Sequence, residues 1–141
     1  MTGKAPLEVG LRHSQSVVVD DRLTVPAMSG SFASLADMPP VFATAYLVAL
    51  SEWTCVELIR PYLAPGQHSV GTHVDISHIA ATPIGMLATA EVELIAVEGR
   101  RLRFKILCRD ERDVIGEGFH ERALIDVAKF MDRVEAKSDG R

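Results

Sequence analysis

The sequence predicts an α+β fold, in which a curved antiparallel β-sheet wraps around one long central helix. Three observations predict it. Residues 41–63 form one long segment with apolar side chains on every side. The chain after that segment changes to a period of two and reads as four strands. Tight-turn signals join those strands, so they pair antiparallel. Only one helix separates strands, which excludes a doubly wound parallel sheet.

Residues 15–25 hold Val17-Val18-Val19 and Leu23-Thr24-Val25, which read as one or two short strands. Residues 26–38 are rich in Ser, Gly, Ala and Met without a period, a loop or a short helix. Pro39-Pro40 then opens the helix over 41–63, because proline is tolerated in a first turn. Pro65-Gly66 closes it. Phe42, Leu47, Leu50, Trp53, Val56 and Ile59 fall on different faces of this helix. A helix apolar all round is a buried helix, so a curved sheet must cover it. Val70, Thr72, Val74, Ile76 and His78 then share one parity of a strand, with His73, Asp75 and Ser77 on the other. Pro83-Ile84-Gly85 turns the chain, and residues 86–97 alternate again. Glu98-Gly99-Arg100 is a hairpin signal, followed by the alternation Leu102, Phe104, Ile106, Cys108. Residues 110–113 turn once more, 114–127 form the last strand, and 129–137 are a short helix or tail. Strand, swallowed helix and four meandering strands make up the hot-dog arrangement.

The 141 residues suit a single domain over 1–141, with polar ends at 1–6 and 135–141 expected to fray. A net charge of −4 without any basic run argues against a nucleic-acid partner. The longest uncharged apolar stretch, 41–51, is far short of the ~20 residues that span a bilayer. The first residues carry no apolar signal core. The reading is a cytoplasmic protein with no membrane partner. Cys55 and Cys108 are read as two buried thiols, since neither belongs to a Cys-x-x-Cys pair. No metal is expected, because no His-x-x-x-His or similar spacing occurs. No dinucleotide fingerprint, phosphate loop or Gly-x-Ser-x-Gly elbow is present.

A few residues break the structural pattern. Glu52 sits in the middle of the apolar helix, where a carboxylate is costly to bury without a partner. It either reaches a polar edge or a cation such as Arg60, or it serves chemistry. Thr44 precedes it by eight residues and projects within about a quarter turn of it, so both can line one cavity. His78 shares the parity of Val74 and Ile76 and points to the apolar side. A histidine there is a satisfied core residue or a catalyst. Gly116 and Gly118 interrupt the last strand, which allows a ligand or another backbone to come close. Arg122 follows on the same parity, suited to a surface ion pair or to a ligand anion.

Taken together, Pro40-Val41-Phe42-Ala43-Thr44, Glu52-Trp53 and Pro61-Tyr62-Leu63 resemble the helix of the fluoroacetyl-CoA thioesterase family. Ser69-Val70-Gly71-Thr72, His78 with Ala80-Ala81-Thr82-Pro83, residues 97–102 and residues 115–122 continue the resemblance, which spans roughly residues 41–130. It implies a homodimeric hot-dog thioesterase that hydrolyses a short or small acyl-CoA. It also implies catalytic roles for Thr44, Glu52 and His78, and substrate contacts for Gly71 and Arg122. No cofactor is implied, since coenzyme A is part of the substrate. Met38 and Phe42, near the helix start, would bear on the size of the acyl pocket. The family's fluoroacetyl-selective enzyme carries phenylalanine where Met38 precedes Pro39, so the thioester chemistry transfers further than the fluoroacetyl substrate does.

On this reading Glu52 either attacks the thioester directly or acts as base toward water, and His78 carries the proton. Backbone N–H groups at the helix start or near Gly71 would polarise the carbonyl. Two other readings stay open. A hot-dog hydratase or dehydratase would also use a histidine and a carboxylate, although in those enzymes the histidine precedes the helix carboxylate. A non-catalytic acyl-CoA-binding domain would not need all three polar residues.

Overall fold

The computed structural model describes residues 6–140. The polar segment 1–5 and Arg141 lie outside the described residues. Strand β1 is Arg12–Val18, and 3-10 turns follow at Asp21–Leu23, Val25–Met28 and Ala33–Leu35. Helix α1 is Thr44–Ile59, extended by a 3-10 turn at Arg60–Tyr62. Strands β2 (Gln67–Ile76), β3 (Leu87–Glu98), β4 (Arg101–Arg109) and β5 (Val114–Asp126) come next, then helix α2 (Val127–Ser138). The five strands form one curled antiparallel sheet in the order β1-β3-β4-β5-β2. The expected hot-dog architecture is therefore present.

Alternation in β3 and β4 builds the core. Ala88, Ala90, Val92 and Leu94 face inward from β3, and Leu102, Phe104, Ile106 and Cys108 from β4. They meet Leu47, Leu50, Cys55 and Leu58 of α1 in one cluster. Two alanines on β3 give the helix room to lie close to the sheet. Burying each large side chain stabilises the fold by about 1.5–3 kcal/mol. Ser51 and Thr54 are also buried in α1, and each donates its hydroxyl back to a carbonyl one turn earlier, Leu47 at 3.0 Å and Leu50 at 2.7 Å. They therefore cost little inside the core.

The sequence reading differs from the structure in several places. Before the helix, β1 starts at Arg12 rather than at residue 15, and Leu23 and Val25 lie in 3-10 turns rather than in a strand. Helix α1 starts at Thr44, not at residue 41. The backbone of 41–43 is occupied elsewhere: Val25 N–H donates to Val41 O, Phe42 N–H to Thr82 O and Ala43 N–H to Leu23 O. Those bonds hold the segment extended and delay the helix by one turn. Nor is α1 covered on all sides within one chain. Trp53 remains 42% exposed, and Ala45 and Ala49 lie on the same open flank. Its apolar surplus exceeds what five strands can cover. After the helix, β2 ends at Ile76, so His78 stands just beyond the strand. Of the two readings of the C-terminal segment the helix holds, from Val127 as far as Ser138, with Asp126 capping the N–H of Lys129.

Candidate functional site

Two clusters of polar side chains lie along α1. The first is at its N-terminus. Thr44 opens the helix, and its Oγ1 lies 2.8 Å from His78 Nδ1. His78 is held there by the continuation of the β2–β5 pairing past the end of β2. Ser77 N–H donates to Glu117 O at 2.9 Å, and Ile79 N–H donates to Ile115 O at 2.7 Å. The residues on both sides of His78 are therefore anchored. The two glycines of β5 permit this: a Cβ at Gly116 would overlap Ser77 O, and one at Gly118 would overlap Asp75 O. Backbone, not ligand, takes the space that they leave. Farther along the loop, buried Thr82 donates to Asp110 Oδ2 at 2.8 Å and ties the loop to the β4–β5 turn.

The imidazole of His78 is half-buried, and burial holds its pKa below the ordinary histidine value, opposed in part by the backbone at Ala80. A lowered value keeps the ring neutral and able to take a proton near pH 7. Its Nε2 is buried and has no hydrogen-bond partner within the chain. A buried ring nitrogen without a partner is costly, on the order of 1–3 kcal/mol. No side chain caps the first turn of α1, and Tyr46 N–H turns back to Ala43 O at 3.0 Å, so the N–H groups of Thr44 and Ala45 are those left to point outward beside His78.

The second cluster lies two turns farther along α1, about 12 Å by helix geometry. Glu52 Oε2 accepts from Arg122 Nη1 at 3.0 Å. The carboxylate is 41% exposed, whereas the guanidinium is 7% exposed. Arg122 is fixed at every edge. Its Nε donates to Ser69 Oγ at 2.8 Å and its Nη2 to Ser69 O at 3.0 Å. Nη1 also lies 3.1 Å from His120 Nε2. Gly71 pairs with Arg122 across the β2–β5 ladder, at a register shift between Gly71 and His73. A Cβ on Gly71 would fall 2.7 Å from Glu52 Oε2. Only glycine lets the carboxylate lie against the strand there.

The residues expected from sequence thus divide. Thr44 and His78 come together, and so do Glu52, Gly71 and Arg122. Glu52 and His78 share no hydrogen bond within the chain. The cation beside Glu52 is Arg122 rather than Arg60, which instead pairs with Glu57 at 2.9 Å. Met38 is exposed near the start of α1, whereas Phe42 is sealed in the core and offers no surface to a ligand within one chain. His13 lies in β1 and His68 in β2, outside both clusters. His120 was missed. It is fully buried in the second cluster, and the signal for it was its shared parity with Arg122 and Gly118. Cys55 and Cys108 are buried free thiols, as expected. Burial pushes the Cys55 thiol far up, so it stays protonated.

The family model for fluoroacetyl-CoA-specific thioesterases matches residues 19–128. A fluoroacetyl-CoA thioesterase from Streptantibioticus cattleyicolor is 42% identical over 135 residues, 96% of this chain and 97% of that protein. A solved structure of a fluoroacetyl-CoA thioesterase superposes with a TM-score of 0.91 at 42% identity, covering 94% of this chain and 98% of the other. A hot-dog-like protein from Thermanaerovibrio acidaminovorans shares the fold, with a TM-score of 0.78 at 22% identity over 92% of this chain and 91% of its own.

Proposed function

Because the chain belongs to the fluoroacetyl-CoA-specific thioesterase family, we propose that it hydrolyses a small acyl-CoA at a site completed by a second copy of itself. The reaction yields the free acid and coenzyme A. The observation that carries the reading is the division of the site. His78 Nε2 is buried and unpartnered beside Thr44, while Glu52 is held on Arg122 about two helical turns away.

A two-fold partner supports closing that gap. Strand β2 is an edge of the sheet, ten residues long, and a free edge of that length is a template for pairing. Antiparallel pairing of two β2 edges brings the end of one, with His78 beyond it, toward the Gly71 region of the other. The partner's Glu52 then approaches the unpartnered ring nitrogen. The open flank of α1 around Trp53 supplies apolar surface for the same contact. In the homodimer two identical sites form, each with Thr44 and His78 from one copy and Glu52, Gly71 and Arg122 from the other.

Each group then has a task. N–H groups of the first turn of α1 donate to the thioester oxygen as charge builds on it. Glu52 keeps Oε2 on Arg122 and presents Oε1 to the carbonyl carbon or to a water that it deprotonates. Single turnover in 18O-water reports direct attack where water opens the mixed anhydride at the Glu52 carbon, since label is then left in the Glu52 carboxylate, whereas the base route places it in the acid product alone. His78 takes up the proton that Glu52 removes from water, or on the direct route one from solvent, and passes it to the leaving thiolate, while Thr44 orients its ring. Met38 borders the acyl end, in place of the family's phenylalanine. A hydratase reading is disfavoured by the order of the residues, since the carboxylate on α1 precedes the histidine.

Mixing two inactive variants tests the composite site. Glu52→Gln and His78→Ala are each made, combined in equal amounts, unfolded and refolded together. If the site draws on two copies, half the dimers are mixed and each has one intact site, so about a quarter of wild-type CoA release returns. If Glu52 and His78 of one chain act together, every mixed site carries a defect and no turnover returns.

A further inference from the structure

We propose that His120 is a positioning residue for Glu52, acting as a neutral acceptor that locks the Arg122 guanidinium in place. The inference rests on the assignment of Glu52 to the reaction. His120 touches no substrate position in that scheme. It is nonetheless fully buried, and both ring nitrogens have partners.

The partners settle its tautomer. Nδ1 lies 2.7 Å from His73 O, a carbonyl, which only accepts, so Nδ1 carries the hydrogen. Nε2 lies 3.1 Å from Arg122 Nη1, which only donates, so Nε2 offers its lone pair. A doubly protonated ring would set an N–H against the N–H of Arg122. Burial is the main influence holding the ring's pKa below the ordinary value; the His73 carbonyl and the Glu52 carboxylate oppose it, and the Arg122 cation and the His73 ring add to it. Glu52 Oε2 is 3.8 Å from Nε2, too far for a hydrogen bond.

The consequence is a rigid relay. The backbone of β2 at His73 orients the ring, and the ring takes one edge of Nη1. Ser69 takes Nε and Nη2. What remains of Nη1 is aimed at Glu52 Oε2, and Gly71 lies alongside. Without the acceptor at Nε2, the guanidinium loses one of its constraints and the carboxylate on it loses its fixed position. A displacement of about 1 Å at a reacting group can cost up to 100-fold in rate.

Two amide variants test this in the full chain, with acetyl-CoA and fluoroacetyl-CoA as probes. In His120→Gln the amide places a donor and an acceptor at much the separation of the two ring nitrogens, so both bonds can be kept. In His120→Asn the side chain reaches His73 O but is too short for Arg122. We expect Asn to lower kcat about 10- to 100-fold with KM changed less than about 3-fold, and Gln to recover most of the loss. Nitrogen-15 NMR of the histidines should find Nδ1 protonated and Nε2 bare in His120 at pH 7. Equal, near-normal kcat in both variants while Glu52→Gln is inactive would overturn the role of His120 and leave the assignment of Glu52 standing. An Nε2-protonated tautomer would overturn it too. Full turnover in Glu52→Gln would remove both.

Discussion

The two ends of the divided site are held in different ways. At the start of α1, Thr44 and His78 touch each other through one hydrogen bond, and one nitrogen of the ring has no partner in the chain. Their placement comes from backbone: Ser77 and Ile79 pinned to β5, and residues 41–43 pinned to the turns before the helix. At the middle of α1, Glu52 is placed by side chains, through Arg122 to Ser69 and His120. The first pair is a proton-handling group left free to meet a partner. The second is a carboxylate clamped on one oxygen, with the other left open. A group that must accept and release a proton benefits from a vacant position, whereas an attacking oxygen benefits from a fixed one.

The comparison breaks first if the two clusters do not belong to one reaction. Glu52→Gln and His78→Ala are each expected to lower CoA release by about 10²- to 10⁴-fold while the proteins stay folded and of wild-type size. Thr44→Ala, which removes only the group that orients the ring, should cost less. Loss in one cluster and near-normal turnover in the other would separate them.

A smaller effect is expected when the clamp is loosened without removing the carboxylate. Arg122→Met leaves the Ser69 carbonyl and Glu52 without their donor. Breaking a fully buried pair costs about 3–5 kcal/mol, but Glu52 is nearly half exposed and recovers hydration. The expected destabilisation is therefore about 1–3 kcal/mol, read by thermal or urea unfolding. Turnover should fall in parallel. Unchanged stability would mean that the guanidinium does little for the β2–β5 edge.

Gly71→Ala sharpens the contrast further. The new methyl group meets the far end of Glu52, a flexible side chain, before any backbone. The fold should absorb this within about 1 kcal/mol. The carboxylate, however, must leave its place, and kcat should drop about 10-fold with little change in KM. A kcat near wild type would show that the exact seat of Glu52 does not matter, and would weaken the clamp argument more than any stability measurement.

Much of this molecule was legible in the sequence, but not evenly. Period-two alternation in residues 86–97 placed β3 within a residue, and the alternation of Leu102, Phe104, Ile106 and Cys108 marked β4, because one face of each strand is buried and the pattern has to follow. The start of α1 was misjudged because Val41 and Phe42 are apolar and would suit a helix. What keeps them extended is pairing with Thr24 and Pro83, which are remote in sequence. Thr44, Glu52 and His78 stood out as polar residues in apolar surroundings. His120 did not: it shares the parity of Arg122 on β5, but the bond that fixes its ring runs to His73 O on β2, across the strand pair and remote in sequence. The cation beside Glu52 was not legible for the same reason. Arg60 is nearer in sequence, but the β2–β5 ladder carries Arg122 under the helix.

The gentlest test uses pH, and it reads both clusters at once. His78 and His120 are each held below the ordinary imidazole value, in both cases chiefly by burial. Each ring is therefore charged more readily in the unfolded chain than in the fold, and the unfolded chain binds more protons as pH falls. The stability linked to these rings is complete above the unfolded value of ~6.5 and is lost as pH falls toward the folded values. The midpoint of thermal unfolding should be level between pH 8 and about pH 7 and decline below about 6.5. His120 is the more deeply buried of the two and faces Arg122, so His120→Gln should flatten more of that decline than His78→Gln. If His78→Gln flattens it more, the vacant ring nitrogen at the start of α1 is the more constrained of the two, and the contrast between a free group and a clamped one would have to be reversed.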